Sequence, residues 1–235
     1  AFLQLNRNKK SISLNIQRQE GKEIFLKLIS SSDIFVENFR PGSLKKLNLD
    51  YEDIKKVNRK IIHCSISGFG KTGPYSGRAG FDLIAQGMSG LMSITGNPDS
   101  PPVKVGVPIS DLNAGVYAMY GILSAYIHLL KTGEGQYVET SLLESTLAYT
   151  VWESSIYFAT GEIPSPMGTA HRLSAPYQSV KTKEAYINIG APNQPNWERL
   201  VKAINREELI EDPRFKNSPE RLKNRVLLEK ELEKS

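Results

Sequence analysis

The chain has 235 residues and a mass of 26.2 kDa, with 40% hydrophobic and 23% charged positions. This composition excludes a disordered, fibrous or disulfide-framed protein. A chain of this length buries enough surface to fold without the added stability of a metal ion or a disulfide bond. Its single cysteine, Cys64, lies in an apolar run and is predicted to be a buried thiol. One unpaired cysteine also indicates a reducing compartment, so we expect a cytoplasmic protein.

The charge is distributed unevenly along the chain. The net charge is +5, and residues 1–60 carry 13 basic against 7 acidic side chains. A basic segment of this kind attracts anions, which include nucleic acid, anionic membranes and phosphorylated cofactors. An ordinary solvated surface rich in lysine has the same composition, so charge alone leaves these interpretations open.

Strand and helix patterns alternate through the first part of the chain. Apolar runs bounded by breaking residues predict strands at 11–14, 33–37 and 61–67. Helical spacing of apolar residues predicts helices at 20–28, 43–47 and 51–57. This alternation favours an α/β fold with a parallel sheet.

A long uncharged segment follows at residues 112–130 and predicts one extended helix. Polar residues and glycines interrupt the segment, which argues against a membrane span. We interpret it instead as an apolar helix enclosed at the centre of a large domain. Residues 131–135 end this helix, and a strand at 136–140 then leads into a helix at 142–160.

The chain is predicted to form two domains. Three prolines and two glycines within 161–176 are typical of a linker. This linker separates a large α/β domain at 1–160 from a small domain at 177–235. Two short strands, 177–180 and 185–189, precede helical segments in the small domain, which we therefore expect to be α+β.

Glycine-rich residues 68–73 match the G-x-G-x-x-G spacing of dinucleotide-binding loops. That motif has to open a helix, whereas Pro74 and Gly77 continue the segment as a loop, so we reject a nucleotide site. A phosphate-binding P-loop would also need a glycine where Ser65 stands. Three isolated histidines and one cysteine give no zinc spacing, and no metal site is predicted.

Two segments remain as candidate sites. In the first, Asn38 to Arg40 precede Pro41 at the start of a helical turn, where free backbone N–H groups bind anions. A turn capped by Asn38 explains that segment equally well. In the second, Asp111 either caps the long helix or serves as a poorly solvated and therefore nucleophilic carboxylate.

Short motifs occur in a fixed order along nearly the whole chain. They are NRNKKS at 6–11, ENFRPG at 37–42, GP at 73–74, GFD at 80–82, SDLN at 110–113, KTGEGQ at 131–136, WERL at 197–200 and DPRF at 212–215. Together they resemble the class III CoA-transferase family, which includes formyl-CoA:oxalate and carnitine CoA-transferases and α-methylacyl-CoA racemase. The resemblance implies a Rossmann-like large domain that binds CoA, further N- and C-terminal segments, and an interlocked homodimer.

The resemblance also implies a CoA-transferase that acts on an acyl-CoA and a carboxylic acid, with Asp111 as the nucleophile. Coenzyme A is then bound as its acyl thioester, without a metal. The CoA contacts carried over from the family are Leu14, Asn15, Ile16, Gln17, Asn38, Phe39, Arg40, Lys46, Arg78, Ala79, Gly80 and Phe81. Phe81 stands where some transferases carry a tyrosine, so the hydrogen bond from that hydroxyl is lost here.

Two alternatives to a transferase are open from the sequence. Racemases of the family carry histidine immediately before the acidic residue of the GFD segment, because moving the acyl α-proton needs an acid/base partner. Phe81 precedes Asp82 here, which disfavours a racemase. A nucleic-acid-binding module needs exposed aromatic residues among its basic ones, whereas Phe25 and Phe35 fit a core. We therefore expect neither a nucleic acid nor a membrane as partner.

Overall fold

A computed structural model describes residues 2–234, and these residues divide into two compact units. The first unit contains the residues up to Leu91 together with Lys104–Ala159. The second contains Met92–Val103 together with the residues from Thr160 onward. The predicted linker at 161–176 holds no helix or strand. Within 2–234, no helix is long and apolar enough to cross a membrane.

Helices and strands alternate in the first unit. Its first part holds α1 (Phe2–Leu5), α2 (Gln19–Ser30), β1 (Ile34–Glu37), α3 (Ser43–Lys46), α4 (Tyr51–Val57), β2 (Ile62–Ser67) and α5 (Asp82–Met88). The short α6 (Leu91–Ile94) begins at the last residue of this part and belongs otherwise to the second unit. The central part holds α7 (Ile109–Thr132), β3 (Tyr137–Ser141), α8 (Leu142–Leu147), a 3₁₀ turn (Ala148–Thr150) and α9 (Val151–Thr160). The second unit holds β4 (Tyr177–Lys181), β5 (Tyr186–Gly190), α10 (Gln194–Ala203), α11 (Glu208–Glu211), α12 (Ser218–Lys223) and α13 (Arg225–Leu232).

The larger sheet is parallel and has the strand order β1-β2-β3. Ile34 pairs with Ile62, and His63 pairs with Tyr137, which fixes the register of the three strands. The central strand β2 is almost entirely buried, as its apolar sequence predicts. The predicted α/β class with a parallel sheet is therefore confirmed, as are the strands at 33–37, 61–67 and 136–140.

Two local predictions are wrong. Residues 11–14 form no strand, because alternation alone is insufficient and no strand within 2–234 pairs with them. The helix predicted at 142–160 is interrupted by the 3₁₀ turn. Near this turn the hydroxyl groups of Thr146 and Thr150 donate to the carbonyl oxygens of Leu142 and Leu147. Such local side-chain bonds compete with a regular helical ladder.

Helix α7 is not enclosed in the way that the sequence predicts. Its small residues Ala114, Ala118 and Ala125 are buried, and the helix packs on β2, β3 and α8. Its bulky residues lie on the other side and are exposed within the described chain, with Leu130 at 70%. The exposed set is Leu112, Val116, Tyr117, Met119, Tyr120, Leu123, Tyr126, Ile127 and Leu130. Only the small-residue side of α7 therefore belongs to the core of this unit.

The second unit has its own core beside the antiparallel pair β4-β5. Trp197 and Phe215 are fully buried at its centre and meet edge to face at 6.4 Å between ring centroids. The guanidinium of Arg221 lies over the Trp197 ring and donates to the carbonyl oxygens of Ala175 and Phe215. Because Arg221 is itself completely buried, these bonds and one from Nη1 to Gln194 Oε1 at 2.8 Å replace part of the water that its charge has lost, while Nη2 has no partner within residues 2–234.

Candidate active site

The loops that follow β1 and β2 meet around one cavity of about 390 Å³. Its position is the usual ligand site of parallel sheets, since the loops at the carboxyl ends of the strands line it. Eight of the predicted site residues surround this cavity, and the further lining residues are Pro41, Ser67, Gly68, Asp82 and Leu142. The eight are Asn38, Phe39, Arg40, Arg78, Ala79, Gly80, Phe81 and Asp111.

The loop after β1 is held by two polar contacts. The side-chain amide of Asn38 donates to the carbonyl oxygen of Ile66 at 2.6 Å, which ties the loop to the end of β2. The backbone N–H of Phe39 donates to Glu37 Oε2 at 2.8 Å. Glu37 accepts the N–H of Phe39, so this N–H is not one of the free backbone groups that were expected to bind an anion. Arg40 supplies the positive charge on this side of the cavity.

The loop of residues 78–82 approaches β2 through two glycines. A Cβ built on Gly80 would lie 2.3 Å from the Cα of Gly68, and a Cβ on Gly68 would lie 2.4 Å from the Cα of Gly80. No side chain fits between the two backbones at this distance. The contact therefore places Phe81 and Asp82 at the end of β2, beside the cavity.

Asp111 lies in the first turn of α7 and faces the same cavity. The residue at the N-cap position is Pro108, whose side chain makes no capping bond. The Asp111 carboxylate accepts no hydrogen bond from residues 2–234. Burial raises the pKa of Asp111 above its ordinary value, and the negative charge of Asp82 raises it further. The residue is exposed in the single chain, so the poor solvation expected from the sequence is wrong there; Asp111 is a carboxylate without a hydrogen-bond partner that holds a proton more readily than an isolated aspartate.

The other predicted contacts lie outside this cavity. Leu14 and Ile16 line a neighbouring apolar groove of about 580 Å³, which Phe39 also borders. The side chain of Asn15 accepts the backbone N–H of Gln17 at 3.0 Å. Lys46 lies in the last turn of α3 and does not line the Asp111 cavity. Their roles in CoA binding remain predictions.

A second cavity, of about 500 Å³, was missed by the sequence analysis. It shares Phe39, Arg40, Pro41 and Ser67 with the Asp111 cavity and is also lined by the buried residues Glu37 and His63 and by Lys71. His63 Nε2 lies 3.8 Å from Glu37 Oε1, and Lys71 Nζ lies 4.0 Å from the centre of the Tyr137 ring. The apolar run around His63 is typical of a hydrogen-bonded core histidine; the burial is confirmed, but neither ring nitrogen has a hydrogen-bond partner within residues 2–234. The cavity itself depends on loops that have no periodic signal.

Among the described residues, neither the cysteine thiol nor a cluster of metal ligands provides a reactive group besides Asp111. Cys64 is fully buried, as predicted, and burial together with the charge of Glu37 raises the pKa of its thiol to about 11. Within residues 2–234, no group of three or more His, Cys, Asp or Glu side chains is arranged to hold a metal ion. Asp111 is therefore the reactive group on which the site is best interpreted.

The protein is thus an α/β protein with a parallel sheet, and a basic loop and a free carboxylate meet at the carboxyl edge of that sheet. The family described as CoA-transferase family III matches residues 1–235. This chain belongs to that family, and the resemblance found in the sequence is confirmed.

Named relatives extend this finding. The chain is 42% identical over 229 residues to the succinyl-CoA:glutarate CoA-transferase of Mus musculus, covering 97% of the chain and 52% of the relative. It is 37% identical over 235 residues to the acetyl-CoA:oxalate CoA-transferase of Acetobacter aceti, covering 100% of the chain and 60% of the relative. The chain thus spans about half the length of the curated relatives that it matches.

Solved structures agree with the fold. A CAIB/BAIF family protein from Brucella suis superposes with a TM-score of 0.83 at 39% identity, over 97% of this chain and 61% of that chain. A protein from Mycobacterium tuberculosis superposes with a TM-score of 0.86 at 25% identity, over 97% and 61% of the two chains.

Proposed function

We propose that the protein is a CoA-transferase that moves CoA from an acyl-CoA to a carboxylic acid through covalent intermediates on Asp111. The observation that carries this proposal is the free Asp111 carboxylate, which faces a cavity shared with Arg40 and Arg78. Relatives at 37–42% identity that are named CoA-transferases support the same reaction.

The proposed reaction proceeds in four balanced steps. An Asp111 oxygen attacks the thioester carbonyl carbon, the C–S bond breaks, and CoA thiolate leaves a mixed anhydride behind. The thiolate then attacks the aspartyl carbonyl and releases the donor acid as its carboxylate. The acceptor carboxylate attacks the resulting aspartyl-CoA thioester and expels the thiolate again. The thiolate finally attacks the acceptor acyl carbon, which forms the new acyl-CoA and frees Asp111.

CoA is proposed to lie across the carboxyl end of the sheet. Arg40 and Lys46 offset the phosphate charges, Asn38 to Arg40 lie against the nucleotide end, and Leu14 to Gln17 make further contacts with CoA. The segment from Arg78 to Phe81 lies along the pantetheine arm, which brings the thioester to Asp111. Arg78 lies over the Tyr75 ring at 4.4 Å, so its guanidinium is already oriented before a ligand binds.

Trapping of the intermediate tests the assignment of Asp111. The complete gene product is incubated with an acyl-CoA and hydroxylamine, and the modified peptide is located by mass spectrometry. Asp111→Asn is expected to lower exchange by at least about 10³-fold, because the amide is a far weaker nucleophile. Asp99→Asn is the matched control, since Asp99 is exposed and its positive φ of 60° suits asparagine. Modification elsewhere, or full exchange by Asp111→Asn, would contradict the proposal.

Racemisation is the second candidate reaction, because the family also contains a racemase. Among residues 2–234, no histidine lines the cavity that holds Asp111, and Phe81 occupies the position before Asp82. The absence of an imidazole there favours transfer over α-proton exchange. Incubation of a 2-methylacyl-CoA in deuterated water separates the two reactions, since transfer leaves the α-carbon unlabelled and racemisation labels it.

The substrate acids and the assembly are part of the same proposal. Relatives are named for succinate, glutarate, oxalate and mesaconate, so dicarboxylic acids come first in an acceptor panel with several acyl-CoA donors. A homodimer is proposed because the bulky side of α7 is exposed in a single copy. Light scattering of the complete gene product measures the mass of the assembly. A mass equal to that of one chain at micromolar protein concentration would contradict the homodimer.

A further inference from the structure

The second and third amides of α7, those of Ser110 and Asp111, are capped by Asp82, which lies 28 positions before Ser110. The backbone N–H of Ser110 donates to Asp82 Oδ1 at 2.8 Å, and the N–H of Asp111 lies 3.5 Å from the same oxygen. The hydroxyl of Ser110 donates to the backbone carbonyl of Asp82 at 3.3 Å. Asp82 therefore supplies from α5 the acceptor that Pro108 cannot supply from the N-cap position.

Asp82 is itself held in place from its other side. The side-chain amide of Gln86 donates to Asp82 Oδ2 at 2.7 Å, one helical turn further along α5. Gln86 is completely buried, and its Oε1 accepts the N–H of Val105 at 2.8 Å. The two oxygens of Asp82 are thus both engaged, and α5 is connected to the chain that leads into α7.

This arrangement has a direct consequence for Asp111. An aspartate in the first turn of a helix ordinarily bonds to the free amides around it, which withdraws its oxygens from a ligand. Here Asp82 already accepts the Ser110 amide, and the Asp111 carboxylate bonds to no donor within residues 2–234. An external cap therefore leaves the Asp111 oxygens free.

We propose that Asp82 is a positioning residue: it caps α7 from outside and so keeps the Asp111 carboxylate uncapped and directed into the cavity. This inference rests on the proposed function of Asp111. Asp82 touches no reacting atom; it acts on Asp111 through the first turn of α7 and through its negative charge. The charged residues that line the cavity with Asp111 are Arg40, Arg78 and Asp82.

Two substitutions separate the capping role of Asp82 from its charge. Asp82→Asn keeps one acceptor oxygen for the Ser110 amide and removes the negative charge. Because that charge raises the pKa of Asp111, its removal is expected to move the acid limb of the kcat/KM profile to lower pH. Asp82→Ala removes the acceptor as well and is expected to lower kcat by about 10²-fold, the usual cost of misplacing a reacting group by roughly 1 Å.

Hydrogen exchange gives a readout that does not depend on activity. In the complete gene product, the amides of residues 110 and 111 are expected to exchange faster in Asp82→Ala and to stay protected in Asp82→Asn. The matched control is Asn193→Ala, which removes a comparable cap, from the N–H of Asn196 at 2.9 Å at the start of α10. This control should leave unchanged both the acid limb of the kcat/KM profile and the hydrogen exchange of the amides at 110 and 111.

The outcomes distinguish this inference from the proposed function. Suppose that Asp111→Asn loses CoA-exchange activity while Asp82→Ala keeps the wild-type kcat and the wild-type amide protection at 110 and 111. The capping role of Asp82 is then overturned, and Asp111 is still supported as the nucleophile. If Asp111→Asn remains active, the proposed function fails, and hydrogen exchange still decides whether Asp82 caps α7. If Asp82→Ala does not fold, the wild-type protein decides: protection of the Ser110 amide from hydrogen exchange supports the cap, and exchange there as fast as in an exposed amide overturns the inference.

Discussion

Replacement of Gly80 by alanine tests whether the contact between two glycines positions the candidate active site. The new Cβ would lie 2.3 Å from the Cα of Gly68, whereas ordinary carbon contacts lie near 3.5–4.0 Å. The 78–82 loop must therefore move by about 1 Å or more. Both partners are backbone atoms, so no rotation of a flexible side chain relieves the clash.

Such overpacking costs about 1–3 kcal/mol of the free energy of unfolding. The displaced loop carries Phe81 and Asp82, so we also expect kcat/KM to fall by about 10²-fold in a CoA exchange assay. Urea unfolding measures the first effect, and initial rates with saturating acceptor acid measure the second.

Gly77→Ala, immediately before this loop, is the matched control. Nothing lies within 4 Å of its added Cβ and its φ is not positive, so this alanine is expected to be neutral or to stabilise by about 0.4–1 kcal/mol. An unfolding midpoint for Gly80→Ala at or above that of Gly77→Ala, with unchanged kcat/KM, would refute the reasoning.

Two further predictions concern buried polar groups. Arg221→Ala is expected to destabilise the second unit by about 3 kcal/mol or more, because it leaves a cavity and deprives the Ala175 and Phe215 carbonyls of their donor; a thermal midpoint within 1 °C of wild type would contradict this. Cys64, with a thiol pKa raised to about 11, should resist iodoacetamide at pH 8 until urea unfolds the protein, because about 0.1% of it is thiolate at that pH; rapid alkylation of the folded protein, read by intact mass, would contradict it.

The sheet was predictable because its signals are local. Each strand of the parallel sheet is a short apolar run between breaking residues, and the burial of Cys64 and His63 follows from their place in β2. Residues 11–14 show the same alternation but form no strand, because pairing depends on a neighbouring strand that the sequence does not identify. The exposure of α7 was missed for a related reason, since composition does not say which faces are covered.

The sequence predicts which residues line the candidate site better than it predicts the contacts between them. Asn38, Arg40 and Asp111 were chosen from motifs and from the family resemblance, and they line one cavity. The bond between Ser110 and Asp82 spans 28 residues and two helices, so no spacing rule reveals it. The engagement of the Phe39 amide by Glu37 also depends on the orientation of one buried side chain.

The bulky side of α7 has a consequence for synthesis of the protein in the cell. Nine large apolar or aromatic residues point away from the small-residue side of a 24-residue helix, and a newly made chain displays them together. Chaperones that bind nascent chains recognise apolar stretches of this kind, and chains at high concentration aggregate through them. Yield during overexpression should therefore depend on chaperone supply and growth temperature before it depends on the stability of either core.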